Sequence, residues 1–308
     1  MVIFTMSPKQ VANLLEQSGY VTDDSLATLV WMAMELDRPL LLEGEAGVGK
    51  TAIALALSTA LQRPLYRLQC HESLDLNQAV YEWNYSKQLL EIRLREAENS
   101  ISQKIRHDLF SEEFLLKRPL LQAISSDQPA VLLIDEIDRA DESFEAYLLE
   151  VLGEYQISIP ELGTIKASSR PIVVLTSNGT RDLSDALRRR CLYHYVDYPS
   201  LPREIEIVKK LMPNTDIDLV QQAVTFVHKL RKHDLEKNPG IAETLDWVRA
   251  LYAMGQDRVP DDPEIIRACL SSLLKTRSDR WQMESEILSG LRTDNRVGID
   301  VGVAGAIK

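Results

Sequence analysis

Residues Gly44-Glu45-Ala46-Gly47-Val48-Gly49-Lys50-Thr51 match G-x-x-x-x-G-K-[ST], a pattern built for phosphate. Glycines let the loop wrap with its amide N–H groups inward, at the positive end of the helix that follows. Lys50 then supplies a point charge to the β- and γ-phosphates, and the Thr51 hydroxyl is a ligand for magnesium. The motif lies after the apolar run Leu40-Leu41-Leu42 and before the helical run Ala52 to Leu61, the strand-loop-helix order that this chemistry needs.

A second acidic strand separates hydrolysis from mere binding. Val131-Leu132-Leu133-Ile134 ends in Asp135-Glu136. An acid at the carboxyl end of a buried strand beside the loop is placed to hold magnesium, the role expected of Asp135. Glu136 is then the candidate base that polarises an attacking water. A further strand, Ile172 to Ser177, ends in Asn178, whose neutral amide suits holding that water. Asn178-Gly179 is equally a common turn pair, and its place directly after a core strand favours the water-holding reading. Arg188-Arg189-Arg190 leaves two readings open: a solvated basic helix end favoured by the helix dipole, or an arginine finger that reaches a neighbouring subunit's nucleotide and so demands an oligomer. The preceding stretch, Asp182 to Leu187, is expected to be helical, with Leu183 and Leu187 on one face.

The elements that position these groups follow from apolar runs at Pro39–Leu42, Leu65–Leu68, Ala130–Ile134, Ile172–Thr176 and Leu192–Val196. Five such strands alternating with helical patterns predict an α/β fold with a parallel five-stranded sheet covered on both faces. The pattern stops at Tyr198-Pro199-Ser200-Leu201-Pro202, where two prolines bracket a turn. Residues 1–199 are therefore expected to form the nucleotide-binding core and 200–308 a small all-α domain. In the latter, Val220, Ala223, Val224, Val227 and Leu230 repeat at helical spacing, with Thr215 and Asp218 as a candidate capping box. The Gly-rich end, Val297 to Lys308, is expected to be loosely held or used between chains. An insertion of about residues 70–126 breaks the alternation; its Tyr81, Trp83 and Tyr85 either form a partner-binding face or fasten the insertion to the core.

Composition narrows the class. The 308 residues are 45% hydrophobic and 26% charged with a net charge of −11, which excludes wholesale disorder and disfavours a nucleic-acid grip spread over the surface. No apolar run approaches the roughly 18 residues of a membrane span. Met1 to Met6 lack the features of a secretory signal. The three cysteines have no disulfide or zinc spacing, as expected in a reducing cytoplasm. The five histidines lack ligand spacing and are read as structural or surface groups.

Taken in order, Gly44 to Thr51, Asp135-Glu136-Ile137-Asp138-Arg139-Ala140, Asn178, and Ala186-Leu187-Arg188-Arg189-Arg190-Cys191 resemble the AAA+ ATPases, and within them the MoxR-type branch. The pattern around Tyr81 to Tyr85 and Gly240 to Trp247 is most similar to the accessory ATPases of aerobic carbon monoxide dehydrogenase maturation. That resemblance implies a hairpin before the sensor strand, at about 155–167, where Tyr155, Ile157 and Ile159 already alternate. It further implies ATP and Mg2+ as ligands, a hexameric ring with Arg190 as the finger and Arg189 and Arg188 behind it, a von Willebrand factor A domain partner, and a metalloenzyme client remodelled for cofactor insertion. One departure stands out: the lid region Ala242-Glu243-Thr244 lacks the arginine many AAA+ proteins place there, so either the lid signals nucleotide state differently or Arg249 or another chain's arginine substitutes. The expected activity is ATP hydrolysis coupled to protein remodelling. The alternatives are a nucleotide-gated assembly module with little turnover and, less favoured, a nucleic-acid motor.

Overall fold

In the computed structural model, which describes residues 6–97 and 109–284, the chain divides into two compact units, the first ending at Asp197 and the second beginning at Tyr198. The first unit contains strands β1 (Leu40–Glu43), β2 (Leu65–Gln69), β3 (Tyr81–Trp83), β4 (Leu115–Lys117), β5 (Val131–Asp135), β6 (Gln156–Ile159), β7 (Gly163–Lys166), β8 (Ile172–Ser177) and β9 (Leu192–Tyr195). Five of these form one parallel sheet in the order β2-β5-β8-β1-β9.

The continuous apolar strands are explained by what covers them. Alternate residues face opposite sides. Leu132, Ile134, Val173 and Leu175 join one core with the helices Pro119–Ile124 and Glu142–Glu154. Val131, Leu133, Leu40 and Leu42 join another with the helices Pro8–Gln17, Asp24–Glu35 and Lys50–Leu61. All five residues of β5 are buried, so truncating Leu132 to alanine would cost about 2–5 kcal/mol. The first helix begins at a capping box: the Ser7 amide donates to Gln10 Oε1 at 2.7 Å and Pro8 opens the first turn.

Within the insertion, β3 pairs antiparallel with β4, and a helix runs from Tyr85 to Ala97. Trp83 is buried, edge-on to Phe110 at 5.1 Å and to Tyr81 at 6.2 Å, and fastens the insertion, whereas Tyr85 is 67% exposed. β6 and β7 make a hairpin with Ile157 opposite Ile165, and Tyr155, Ile157 and Ile159 all face the core.

The second unit packs helices Leu201–Leu211, Ile217–Leu230, Ile241–Ala253 and Pro263–Leu273 around Val220, Val224, Val227, Trp247 and Leu251. The helix expected to start from a Thr215–Asp218 capping box is capped instead by Asp216, whose side chain accepts the Asp218 amide at 2.8 Å. A shorter reach, two residues rather than three, lets the aspartate do this without the reciprocal partner. Glu204, wholly buried, accepts both guanidinium arms of Arg231 at 2.6 and 2.8 Å and lies 2.8 Å from His228 Nε2. Val297 to Lys308 lie outside the described residues. Among the described residues no helix is long and apolar enough to cross a membrane.

Candidate active site

Parallel register brings the carboxyl ends of β1, β5 and β8 together: Glu43 lies opposite Ser177, and Ile134 opposite Leu175. This is where open α/β sheets place their ligands. The residue after β1 must be glycine for a packing reason. A Cβ on Gly44 would fall on the Val196 carbonyl oxygen, because the Val196 amide donates to Glu43 O at 2.7 Å and draws the two backbones together. Gly47 and Gly49 hold φ of 79° and 97°, left-handed values that turn the loop into the helix beginning at Lys50. Glu45 and Ala46 are exposed and Val48 is buried.

Lys50 is 6% exposed, and its Nζ donates to Gly44 O at 2.7 Å, Glu45 O at 2.7 Å and Asn178 Oδ1 at 2.9 Å. Burial pulls its ammonium below the usual lysine range, against the opposing pull of Asp138, Glu45, Asp135 and Glu136. Thr51 Oγ1 donates to Asp135 Oδ1 at 3.1 Å, and the same oxygen accepts Thr176 Oγ1 at 2.5 Å. Thr176 in turn accepts the Glu136 amide at 2.9 Å, so one buried hydroxyl ties both acids together. Glu136 sits at φ 55°, ψ 52°, a strained conformation for a non-glycine residue of the kind found at working sites. Its carboxylate accepts Gln69 Nε2 at 3.0 Å and lies 3.5 Å from Asn178 Nδ2.

Two further side chains shape this site. Arg67, on β2, donates to Asp135 Oδ2 at 2.5 Å while keeping 54% of its side chain exposed. Asp138, 3% exposed, accepts the Asn178 amide at 3.2 Å and the Thr180 amide and hydroxyl at 3.0 and 2.6 Å. Burial alone would raise its carboxyl, but these Thr180 and Asn178 donors outweigh it and hold it below the usual range. Arg67, Gln69, Thr176 and Asp138 are not candidates from the sequence alone. For Arg67 and Gln69 the signal is alternation: they share the face of Asp135 once β2 pairs with β5 in the register Gln69 opposite Asp135. The oxygen donors Thr51 and Asp135, with a cation already drawn to the carboxylate, fit a hard divalent ion such as magnesium.

The arginine helix spans Asp185–Arg190 with Ser184 as its N-cap. The helical stretch expected at 182–187 therefore starts later, because the Ser184 side chain takes the Leu187 amide. Leu183 and Leu187 are nonetheless both buried. Arg188 pairs with Glu43 at 3.2 Å. Arg189 and Arg190 are exposed. Cys70 and Cys191 are buried, and burial pushes both thiols up to about 12, which removes them as nucleophiles. In the second unit, Glu243 caps its helix through the Gly240 amide at 2.9 Å, Thr244 donates to Glu204 at 2.7 Å, and Arg249 pairs with Asp246 at 3.3 Å.

Residues 39–191 match the AAA domain (dynein-related subfamily). The gas vesicle ATPase GvpN of Haloferax mediterranei is 26% identical over 266 residues, covering 82% of this chain and 74% of that protein. An uncharacterized protein of Staphylococcus saprophyticus is 26% identical over 244 residues, covering 77% and 84%. Among solved structures, the Thermotoga maritima RuvB Holliday junction branch migration motor superposes with a TM-score of 0.43 at 16% identity, covering 84% of this chain and 68% of that one. Residues 39–191, with the phosphate loop, the Asp135–Glu136 strand and Asn178 all inside the matched span, are an AAA ATPase domain.

Proposed function

We propose that this AAA ATPase is a ring-forming chaperone of the MoxR type that hydrolyses ATP to remodel a protein partner. The observation that carries the reading is the convergence of one hydrogen-bonded set: Lys50 on Asn178 at 2.9 Å, Asn178 beside Glu136 at 3.5 Å, and Thr51 on Asp135 at 3.1 Å. Lys50 holds the β- and γ-phosphate oxygens within the loop of Gly44, Glu45, Ala46, Gly47, Val48 and Gly49, exchanging its present carbonyl partners for phosphate. Thr51 and Asp135 would hold magnesium, which when bound neutralises charge on those oxygens. Glu136 accepts the proton of the attacking water, and Asn178 orients that water without competing for the proton. Arg190, with Arg189 beside it, reaches the nucleotide of the neighbouring subunit in a ring we take to be a hexamer.

The resemblance to carbon monoxide dehydrogenase accessory ATPases supports a metalloenzyme client and a von Willebrand factor A domain partner. The net charge of −11 favours protein over nucleic acid as that partner. Three buried, unpaired cysteines suit a reducing cytoplasm. The test is Glu136→Gln, which is expected to bind ATP and leave it intact; wild-type turnover by this variant overturns the assignment of the base. Addition of a von Willebrand factor A partner with an apo-metalloenzyme is expected to raise turnover, whereas stimulation by duplex DNA alone replaces the chaperone reading with that of a motor.

A further inference from the structure

The helix that carries the three arginines is pinned at both ends by groups outside the nucleotide site. At its start stands Glu145, 1% exposed, from the helix Glu142–Glu154. Its carboxylate accepts the Ser184 amide at 3.0 Å and Arg181 Nη2 at 2.5 Å, and Arg181 also donates to Ala140 O at 2.6 Å. Ser184 is the N-cap, so Glu145 grips the residue from which the helix departs. At its end stands Arg38, from the turn before β1. Its guanidinium donates to the carbonyls of Arg189 at 2.5 Å, Arg190 at 3.1 Å and Cys191 at 3.1 Å. Those are the acceptors that a helix terminus leaves without internal partners.

A helix of six residues has too few internal bonds to hold a direction by itself. A carboxylate as buried as Glu145 is costly unless its geometry is satisfied, and here both oxygens are. The side chains of Arg189 and Arg190 are by contrast exposed and make no ion pair among the described residues. Backbone is fixed while the charged tips are left free, the arrangement expected of groups aimed at something outside their own subunit.

We propose that Glu145, with Arg181, and Arg38 are positioning residues for the trans-acting arginine: they aim the Asp185–Arg190 helix at the neighbouring subunit's nucleotide and contribute nothing to hydrolysis in their own. The inference rests on the role given to Arg190 above. Glu145→Gln keeps the shape and removes the charge; Arg38→Met acts independently at the other end. Each is expected to lower turnover roughly tenfold or more, since a misplacement of about 1 Å costs up to about 10²-fold, while ATP affinity stays within about twofold of wild type.

Mixed oligomers separate aiming from general damage. Glu136→Gln subunits keep their arginines but cannot hydrolyse; Glu145→Gln or Arg38→Met subunits keep an intact catalytic set but present the arginine badly. In a random one-to-one mixture about a quarter of interfaces join an intact site to an intact arginine, whatever the ring size. Two nearly inactive proteins should therefore regain about a quarter of wild-type turnover on mixing, and a mixture of Arg190→Ala with Glu136→Gln should do the same. Restoration by Arg190→Ala but not by ATP-binding Glu145→Gln and Arg38→Met overturns the positioning role alone. If Glu145→Gln does not bind ATP, the Arg38→Met mixture decides. Failure of the Arg190→Ala mixture removes the trans arginine and this inference with it, as does wild-type turnover by Glu145→Gln and Arg38→Met.

Discussion

Thr176 carries more than its type suggests. Its hydroxyl, 1% exposed, donates to Asp135 Oδ1 at 2.5 Å and accepts the Glu136 amide at 2.9 Å. Thr176→Val keeps the β-branched shape and removes both bonds. A hydrogen bond to a charged group is worth about 1.5–3 kcal/mol, and a buried amide left unsatisfied costs about 1–3 kcal/mol. Asp135 keeps Thr51 and Arg67 as donors, so the lower ends apply and the expected loss is about 2.5 kcal/mol, a large share of a domain's usual 5–15 kcal/mol. For a unit of this size that lowers Tm by roughly 5–10 °C. Thr176→Ser restores the hydroxyl and forfeits a methyl worth about 1 kcal/mol, so it should melt within about 4 °C of wild type. Scanning calorimetry reads both, with ATP turnover in parallel. Thr176→Val melting within about 2 °C of wild type, or Thr176→Ser falling as far as Thr176→Val, would overturn this role for the Thr176 hydroxyl.

Four other outcomes follow from the same geometry. Lys50→Ala, losing the cation inside the loop, should abolish nucleotide binding measured by fluorescent ADP analogues. Arg67→Met should lower the Mg2+ concentration needed for half-maximal nucleotide binding by no more than about fivefold, because an exposed arginine pair is worth at most about 1 kcal/mol; a larger change would mean that Arg67 does more than shield Asp135. Asp138 titrates below its ordinary value of 3.8 in the folded chain. The stability it contributes is thus fully present above that value and lost as pH falls through the lower folded one, so Asp138→Asn should flatten the acid end of a stability-versus-pH curve. Glu204→Ala strands Arg231, 8% exposed at its side chain, in the second unit; breaking a buried pair from one side costs about 3–5 kcal/mol, which limited proteolysis of the second unit should register.

The ligand-binding half of the site was legible because its demands are local. A phosphate loop must follow a strand and open a helix, and an acid ending a buried strand reaches the sheet edge; Gly44 to Thr51 and Asp135-Glu136 satisfy both in consecutive residues. Arg67, Gln69 and Thr176 act through neighbouring strands, and only the register of β2, β5 and β8 shows which side chains meet Asp135 and Glu136. Glu145 and Arg38 are hidden for the same reason: each lies 39 residues or more from the backbone it holds. The helix start at Ser184 and the Asp216 cap differ from the expected positions because side chains of similar capping strength stand one or two residues apart, and tertiary contacts choose among them.

In the proposed ring, hydrolysis needs a site on one subunit and an arginine from the next. The most direct test of this requirement is ATP turnover per chain as a function of protein concentration, for wild type and Arg190→Ala, with light scattering on the same samples. Specific activity should rise steeply as oligomers form and be lost in the variant, whose nucleotide affinity stays near wild type. Turnover per chain that is independent of concentration and unchanged by Arg190→Ala would contradict it.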